Sequence, residues 1–194
     1  MPRRTFTRAE LESFRDAVVP DLLPDSPGQE LKLLFVGINP GLWTAATQTH
    51  FAHPGNRFYP ALLRGGVITE PVDPADGMSE ADRAMMRERG IGITNVVPRA
   101  TAKASELSTE ELRAGGARLT ALVARERPRV VAIAGITAYR TAFARPKAVP
   151  GRQDEDLAGA RLWVVPNPSG LNAHETVASL AAAYREVALA AGVI

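Results

Sequence analysis

Cysteine is absent from the 194 residues. That single absence excludes disulfides, thiolate catalysis and cysteine-held zinc or iron–sulfur clusters together. Histidine is nearly as scarce, with His50, His53 and His174 as the only imidazoles. His50 and His53 have a spacing that could bind a metal on a helix, but the Phe-Ala between them and the Pro54-Gly55 after them read as a loop. No acidic cluster completes a ligand set beside them, so no metal is expected. Lysine is confined to Lys32, Lys103 and Lys147, which leaves arginine to carry almost all of the positive charge. Arginine's planar fork suits phosphate, although codon bias in a GC-rich genome explains its abundance better than function does. The net charge of +2 permits nucleic-acid binding only where arginines gather on one face. No apolar run approaches the ~18 residues of a membrane-spanning helix. The basic start, Met1-Pro2-Arg3-Arg4-Thr5, leads into no apolar signal segment. Cytoplasmic residence away from membranes is therefore the expectation.

What is present is the make-up of an ordinary globular chain, 45% hydrophobic and 23% charged, long enough for one domain over 1–194 with a sizeable core. The organising stretch is 31 to 41, Leu-Lys-Leu-Leu-Phe-Val-Gly-Ile-Asn-Pro-Gly. Its apolar half fits a strand buried on both faces. It then breaks into Gly37-Ile38-Asn39-Pro40-Gly41, where Pro40 fixes φ and drives Asn39 away from helix. A strand ending in so stiff a turn holds an amide side chain still. The same turn in isolation is also compatible with an ordinary strand-to-loop connection.

Along the chain, Thr7 and Glu10 form a capping box for a helix carrying Leu11, Phe14 and Val18, which Pro20 and Pro24 end. Residues 42–55 read as irregular. Asn56 is placed to cap a helix through Phe58, Leu62 and Leu63. Residues 67–78 form an acidic surface loop, and Ser79 caps a helix ending at Gly90. Strands are expected at 31–37, 91–97, 129–135 and 161–165. Helices are expected at about 108–127, 137–144 and 175–191, with a second polar loop at 146–160. Strands alternating with helices predict a three-layer α/β/α sandwich around a mainly parallel four-stranded sheet. Right-handed crossovers bring every strand's C-terminal end to one edge, where open α/β sheets bind ligands. Two Asn-Pro turns, at Asn39 and at Asn167, would face each other there.

The pair Gly37-Ile-Asn-Pro-Gly-Leu42 and Asn167-Pro-Ser-Gly-Leu-Asn172 resembles the two signature motifs of mismatch-specific uracil-DNA glycosylases, the branch that includes thymine-DNA glycosylase. Between them, His50-Phe-Ala-His-Pro-Gly-Asn-Arg-Phe58, Gly92-Ile-Thr-Asn-Val-Val97, Glu111-Leu-Arg-Ala-Gly-Gly116 and the strand at Val130 fall in the family's order. The resemblance spans 31 to 190, inside a catalytic core of 29–194 that follows an N-terminal helix and connector at 1–28.

The resemblance implies a monofunctional enzyme of base excision repair, without metal or cofactor. It would flip uracil, or thymine or an etheno adduct, from a mismatch with guanine in double-stranded DNA and hydrolyse the N-glycosidic bond, acting as a monomer. Asn39 would orient a water beneath C1′, since an amide takes no proton near neutral pH. Phe51 would stack on the base, though on sequence alone it could also be core, as Phe58, at helical spacing with Leu62, is expected to be. Asn95, with backbone at Ile38 and Phe51, would read the base edge. His50 is either a donor to a base carbonyl or an exposed loop residue, and Asn56 either a cap or a pocket residue. Leu171, between Gly170 and Asn172, would be the wedge that fills the gap, with Asn172 meeting the widowed guanine; the alternative is a buried loop anchor. Asn167 and Ser169 would hold a phosphate. Asp76 is the acid drawn from the 67–82 loop to help activate water, or else a solvated surface group. Pro98, where relatives often carry an acid, and Ala173, where a basic or polar residue often follows, depart from the pattern and leave the base preference open. A non-catalytic mismatch-binding protein and a small-molecule nucleosidase are the alternative functions.

Overall fold

The computed structural model describes residues 5–194, so the arginines of the basic start lie outside the described residues. Four parallel strands form the centre: β1 (Leu33–Gly37), β2 (Ile91–Asn95), β3 (Val130–Ala134) and β5 (Arg161–Val165). A two-residue strand, β4 (Gly151–Arg152), adds antiparallel to β5, so the sheet has five strands in the order β2-β1-β3-β5-β4. Two residues inside a polar segment are too few for a period-two pattern to register, which is why four strands are expected from the sequence and five are found.

The near-continuous apolar strands are sorted into two cores by the pleat, since neighbouring side chains point to opposite faces. Leu33, Phe35, Val130, Ala132, Trp163 and Val165 face one way, against α3 (Phe58–Arg64), α4 (Glu80–Glu88) and α7 (Val177–Ala191). Leu34, Val36, Val131, Ile133, Leu162 and Val164 face the other, against α5 (Thr109–Glu126) and α6 (Ile136–Ala142). The architecture is the expected three-layer α/β/α sandwich. Among the described residues no helix is long and apolar enough to cross a membrane.

Two local expectations change. The capping box of Thr7 and Glu10 is present, but it opens only α1 (Arg8–Glu12), not a helix reaching Val18. The chain turns at Asp16, whose φ is 66°, and then runs as an extended strap past β2, with Leu22 exchanging both backbone hydrogen bonds with Ile93 at 2.9 and 2.8 Å. Covering the open edge of β2 outweighs continuing a helix, because an edge strand's exposed N–H and C=O groups need partners. Within 42–55, expected to be irregular, α2 (Leu42–Thr47) forms one buried turn and a half, ended by Gln48 at φ 51°. Its alanines and threonines give no apolar stripe to read.

The Gly115-Gly116 pair explains itself by space. A Cβ on Gly115 would overlap the carbonyl oxygen of Val96, and one on Gly116 would sit 2.6 Å from the carbonyl oxygen of Ala142. The two glycines let α5 press directly on the end of β2 and on α6. In an open helix Gly→Ala stabilises by ~1 kcal/mol; here Gly115→Ala should instead destabilise by about 1–3 kcal/mol through overpacking, read as a lower urea midpoint with an unchanged slope.

Candidate functional site

The edge where the parallel strands end carries a cleft of about 760 Å³, lined by Gly37–Gly41, His50, Phe51, Asn95, residues 101–105 and the loop at 167–171. Both Asn-Pro turns reach it, as the crossover rule requires.

Asn39 is held by its nitrogen. Nδ2 donates to the carbonyl oxygen of Arg99 at 2.9 Å, to that of Pro40 at 3.2 Å and to Thr101 Oγ1 at 2.7 Å. Thr101 is buried and donates its own hydroxyl to the Lys103 carbonyl at 2.9 Å. With every partner on the nitrogen side, Oδ1 is the atom the turn offers to a ligand or a water. The Arg99 carbonyl is in turn steadied through its side chain, which bonds Glu111 at 2.8 Å and Asp16 at 2.7 Å.

Phe58 is the core residue its helical spacing predicts, and Phe51 takes a different place. Phe58 is 1% exposed and meets Phe35 edge-on at 5.1 Å, deep in the core. Phe51 stacks on Phe58 at 4.1 Å and 25° and borders the cleft. Its φ of 56° is a left-handed conformation uncommon for a bulky residue, a strain found chiefly at functional sites. Opposite lies Gly37, where a Cβ would sit 2.5 Å from Asn95 Oδ1 and 3.3 Å from Phe51 Cζ. Any side chain at 37 would fill the floor between them.

His50 is neither exposed nor free to donate to a ligand. It is buried, with Nε2 3.0 Å from the Pro20 carbonyl and Nδ1 3.1 Å from Asn95 Nδ2. Both ring nitrogens are thus occupied within the protein. Burial pushes its pKa below the ordinary value of 6.5, so the ring is neutral. The buried Tyr59 hydroxyl fixes the backbone here, donating to the His50 carbonyl at 2.9 Å. The N-cap of α3 is Arg57, not Asn56; Asn56 stands one residue earlier, where its Oδ1 accepts from the Phe58 N–H at 2.9 Å, and it lines the cleft.

The second loop is held from within and from below. Asn167 Oδ1 accepts from the Ser169 N–H at 3.0 Å, Asn172 Nδ2 donates to the Asn167 carbonyl at 3.1 Å, and Ser169 Oγ accepts from the Leu171 N–H at 3.3 Å. Asn167, Ser169, Gly170 and Leu171 line the cleft; Asn172 does not. Gly170 lies so near Gly55 that a Cβ would stand 2.5 Å from its carbonyl oxygen. Beneath, the Arg57 guanidinium donates to the carbonyls of Ser169, Glu175 and Asn172, the last at 2.8 Å. Leu171 at the tip is 94% exposed, which rules out the buried-anchor reading.

Asp76 is exposed and does not line the cleft. Its loop is turned outward because Trp43 Nε1 donates to the Ala75 carbonyl at 3.0 Å and the Met78 N–H to Thr49 Oγ1 at 2.8 Å. Among the described residues that line the cleft, none is an aspartate or glutamate, and Lys103 is the only lysine or arginine. The described residues also contain no metal-ligating cluster. Sequence reasoning missed Arg57, Thr101 and Lys103. Arg57 stood in the His50–Phe58 motif but was hidden by the general excess of arginine, whereas Thr101 carries no local signal.

A family model described as the uracil DNA glycosylase superfamily matches residues 24–188. Among solved structures, one from Methanosarcina acetivorans, a solution NMR structure provisionally assigned as a uracil DNA glycosylase, has 19% identity and a TM-score of 0.57. It covers 88% of this chain and 96% of its own. That similarity extends the fold likeness over nearly the whole of both chains.

Two outcomes follow from this geometry. Replacing Arg57 by Met removes the clamp, and amide exchange at Leu171 and Asn172 should accelerate at least ~10-fold, as expected for losing charge-assisted hydrogen bonds to a loop. For His50, the folded-state pKa lies below 6.5, so on acidification the unfolded chain takes the proton first. The stability due to a neutral His50 is therefore complete above 6.5 and falls as the pH drops below it. Urea midpoints at pH 7.5 and pH 5.5, spanning the ordinary histidine pKa of about 6.5, should differ more for wild type than for His50→Gln.

Proposed function

The chain belongs to the uracil DNA glycosylase superfamily, DNA-acting hydrolases of N-glycosyl bonds, and on that premise we propose that it is a monofunctional, mismatch-directed enzyme excising uracil opposite guanine. The observation that carries the reading is Leu171, an apolar side chain 94% exposed on a clamped loop that lines the cleft. A large apolar group held in water is costly unless it has a partner there, and a base stack opened by flipping is such a partner. Flipping costs least at a mispair, which favours G·U over A·U.

Once flipped, the base slides onto Phe51, a contact worth about 1–3 kcal/mol, with its edge against Asn95. Asn39 Oδ1 accepts a hydrogen bond from a water below C1′. As the N1–C1′ bond breaks, its electron pair leaves with the base and positive charge grows on the sugar. N–H donors of the backbone at Ile38 and Phe51 and of Asn95 are offered to the base oxygens that take up the negative charge. With no carboxylate lining the cleft, the water is positioned but not deprotonated beforehand. The reaction thus relies on a good leaving group, which ranks uracil and etheno adducts above thymine. Lys103 and Ser169, which both line the cleft, suit the flanking phosphates, contacts that set register but not sequence. The protein acts as a monomer.

Single-turnover cleavage of G·U, A·U, G·T and single-stranded uracil oligonucleotides tests the reading. G·U should be fastest. Asn39→Ala should slow it by about 10²-fold with duplex affinity unchanged, the scale of a lost positioning contact. Leu171→Ala should slow it on the order of tenfold, through lost apolar burial. Tight G·U binding that leaves no alkali-labile site would mark a damage sensor. Cleavage of free deoxyuridine with Leu171→Ala unharmed would mark a nucleosidase.

A further inference from the structure

The loop from Arg99 to Glu106 forms one wall of the cleft through residues 101–105. It carries Lys103, the only lysine or arginine among the described residues that line the cleft, and it gives Asn39 the Arg99 carbonyl and the Thr101 hydroxyl. Two consecutive residues of the N-terminal segment hold this loop at its two ends. At the near end Arg99 Nη1 donates to Asp16 Oδ1 at 2.7 Å, and the Asp16 N–H donates to the Ala100 carbonyl at 3.0 Å. The Ala100 N–H returns a bond to the Ala17 carbonyl at 2.9 Å. At the far end the Arg15 guanidinium pairs with one carboxylate oxygen of Glu106, whose other oxygen accepts from the Lys103 N–H at 2.8 Å. Underneath, the buried Ala100 shares a small core with Val19, Leu42 and Ala45, against which Leu11, Phe14 and Ala17 pack. The hydrogen bond from Arg15 holds the Glu106 carboxyl below the usual carboxylate range, so the pair is ionised near neutral pH.

We propose that Arg15 and Asp16, in a segment outside the 24–188 family match, are positioning residues that clasp the 99–106 loop at both ends, and so set where Lys103 meets a phosphate and how firmly Asn39 is held. This rests on the glycosylase reading for its substrate, but the clasp itself is a property of the folded chain. A lone ion pair at a surface contributes little. Here two pairs and two backbone hydrogen bonds act on one short loop, and both of the loop's duties need it in a single place. Lys103 is a point charge whose attraction to a phosphate depends on distance. Asn39 works by position alone, where a shift on the order of 1 Å can cost about 10²-fold in rate. Neither Arg15 nor Asp16 lines the cleft; both act through the loop they hold.

The two residues carry opposite charges, which makes the proposal testable by sign. In the full-length protein, Arg15→Met removes a cation and Asp16→Gly removes an anion, glycine being at ease at the φ of 66° found there. If the pair acted on DNA only through charge, the first variant would bind a G·U duplex more weakly and the second more tightly. The clasp predicts one direction for both: single-turnover cleavage of G·U slower by at least ~5-fold. In Asp16→Gly the slope of log affinity against log salt should also shrink by about one, the mark of a lost Lys103–phosphate contact. Arg15→Lys keeps the charge and should restore most of the rate. Opposite effects of the two variants, or unchanged rates, overturn the proposal. Amide exchange gives a readout independent of catalysis. At Thr101 and Lys103 it should accelerate at least ~10-fold in both variants while the strand residue Phe35 keeps its protection; acceleration everywhere or nowhere overturns the clasp. If wild type cleaves no duplex, the glycosylase reading falls by itself, and exchange alone decides the clasp.

Discussion

The cleft depends on two backbone hydrogen bonds made just beyond the ends of β1 and β2. The N–H of Val96 donates to the carbonyl of Gly37, and that of Val97 to the carbonyl of Ile38, each at 2.9 Å. They carry parallel pairing past the last regular residues and into the Asn-Pro turn. Two further bonds finish the attachment, from the Thr101 N–H to the Pro40 carbonyl and from Asn39 Nδ2 to the Arg99 carbonyl. A turn that would otherwise sway at the end of a strand becomes an extension of the sheet. Proline at 40 assists by lowering the freedom the turn must lose on folding. The close approach of α5 at Gly115 then presses on Val96 from behind, so the helix layer and the site share one support.

How much of this could be read from the sequence follows from the range of the interactions. The strands and most helices are local patterns, and the double-sided burial of residues 33–37 is visible as an unbroken apolar run. The two Asn-Pro turns are legible because topology alone sends them to one edge, whereas Phe51 and Asn95 between them are legible only through the family resemblance. His50 was not legible in either of its imagined roles. Its partners are Pro20 and Asn95, 30 and 45 residues away, and nothing in Thr-His-Phe announces burial. Asp76 failed for the same reason: a loop's acidity is in the sequence, but the outward turn imposed by Trp43 and Met78 is not. The first helix is shorter than its periodicity, which continues through Phe14 and Val18, because the demand for a partner on β2's edge, which does not appear in that segment at all, ends it.

The arginine excess has a structural answer among the described residues. Arg57, Arg89, Arg118, Arg140 and Arg185 each donate to backbone carbonyls of turns or strand ends, at Asn172, Val67, Asn95, Ala148 and Gly65 among others. Arg87, Arg99 and Arg129 are occupied with carboxylates. Guanidinium suits this use because its fork bonds several oxygens at once. The arginines are thus chiefly braces for loops, and the composition does not by itself mark a nucleic-acid face.

That distribution of charge agrees with the chemistry the cleft can support. A catalytic carboxylate near C1′ would stabilise a cationic sugar but would also oppose the anionic base leaving beside it. The polar lining of this cleft is amides, hydroxyls, backbone and one ammonium, Lys103, with His50 held neutral by burial. Fixed dipoles of this kind can favour charge on the departing base without having to reorganise as it develops. Their value depends on direction, and direction is what the surrounding bonds supply: Asn39 through Arg99 and Thr101, Asn95 through His50, Leu171 through Arg57. For Asn39 and Asn95 the side chain itself is held by a partner behind it, and for Leu171 the loop that carries it is held, so part of the ordering entropy is spent in folding and need not be lost again when DNA arrives.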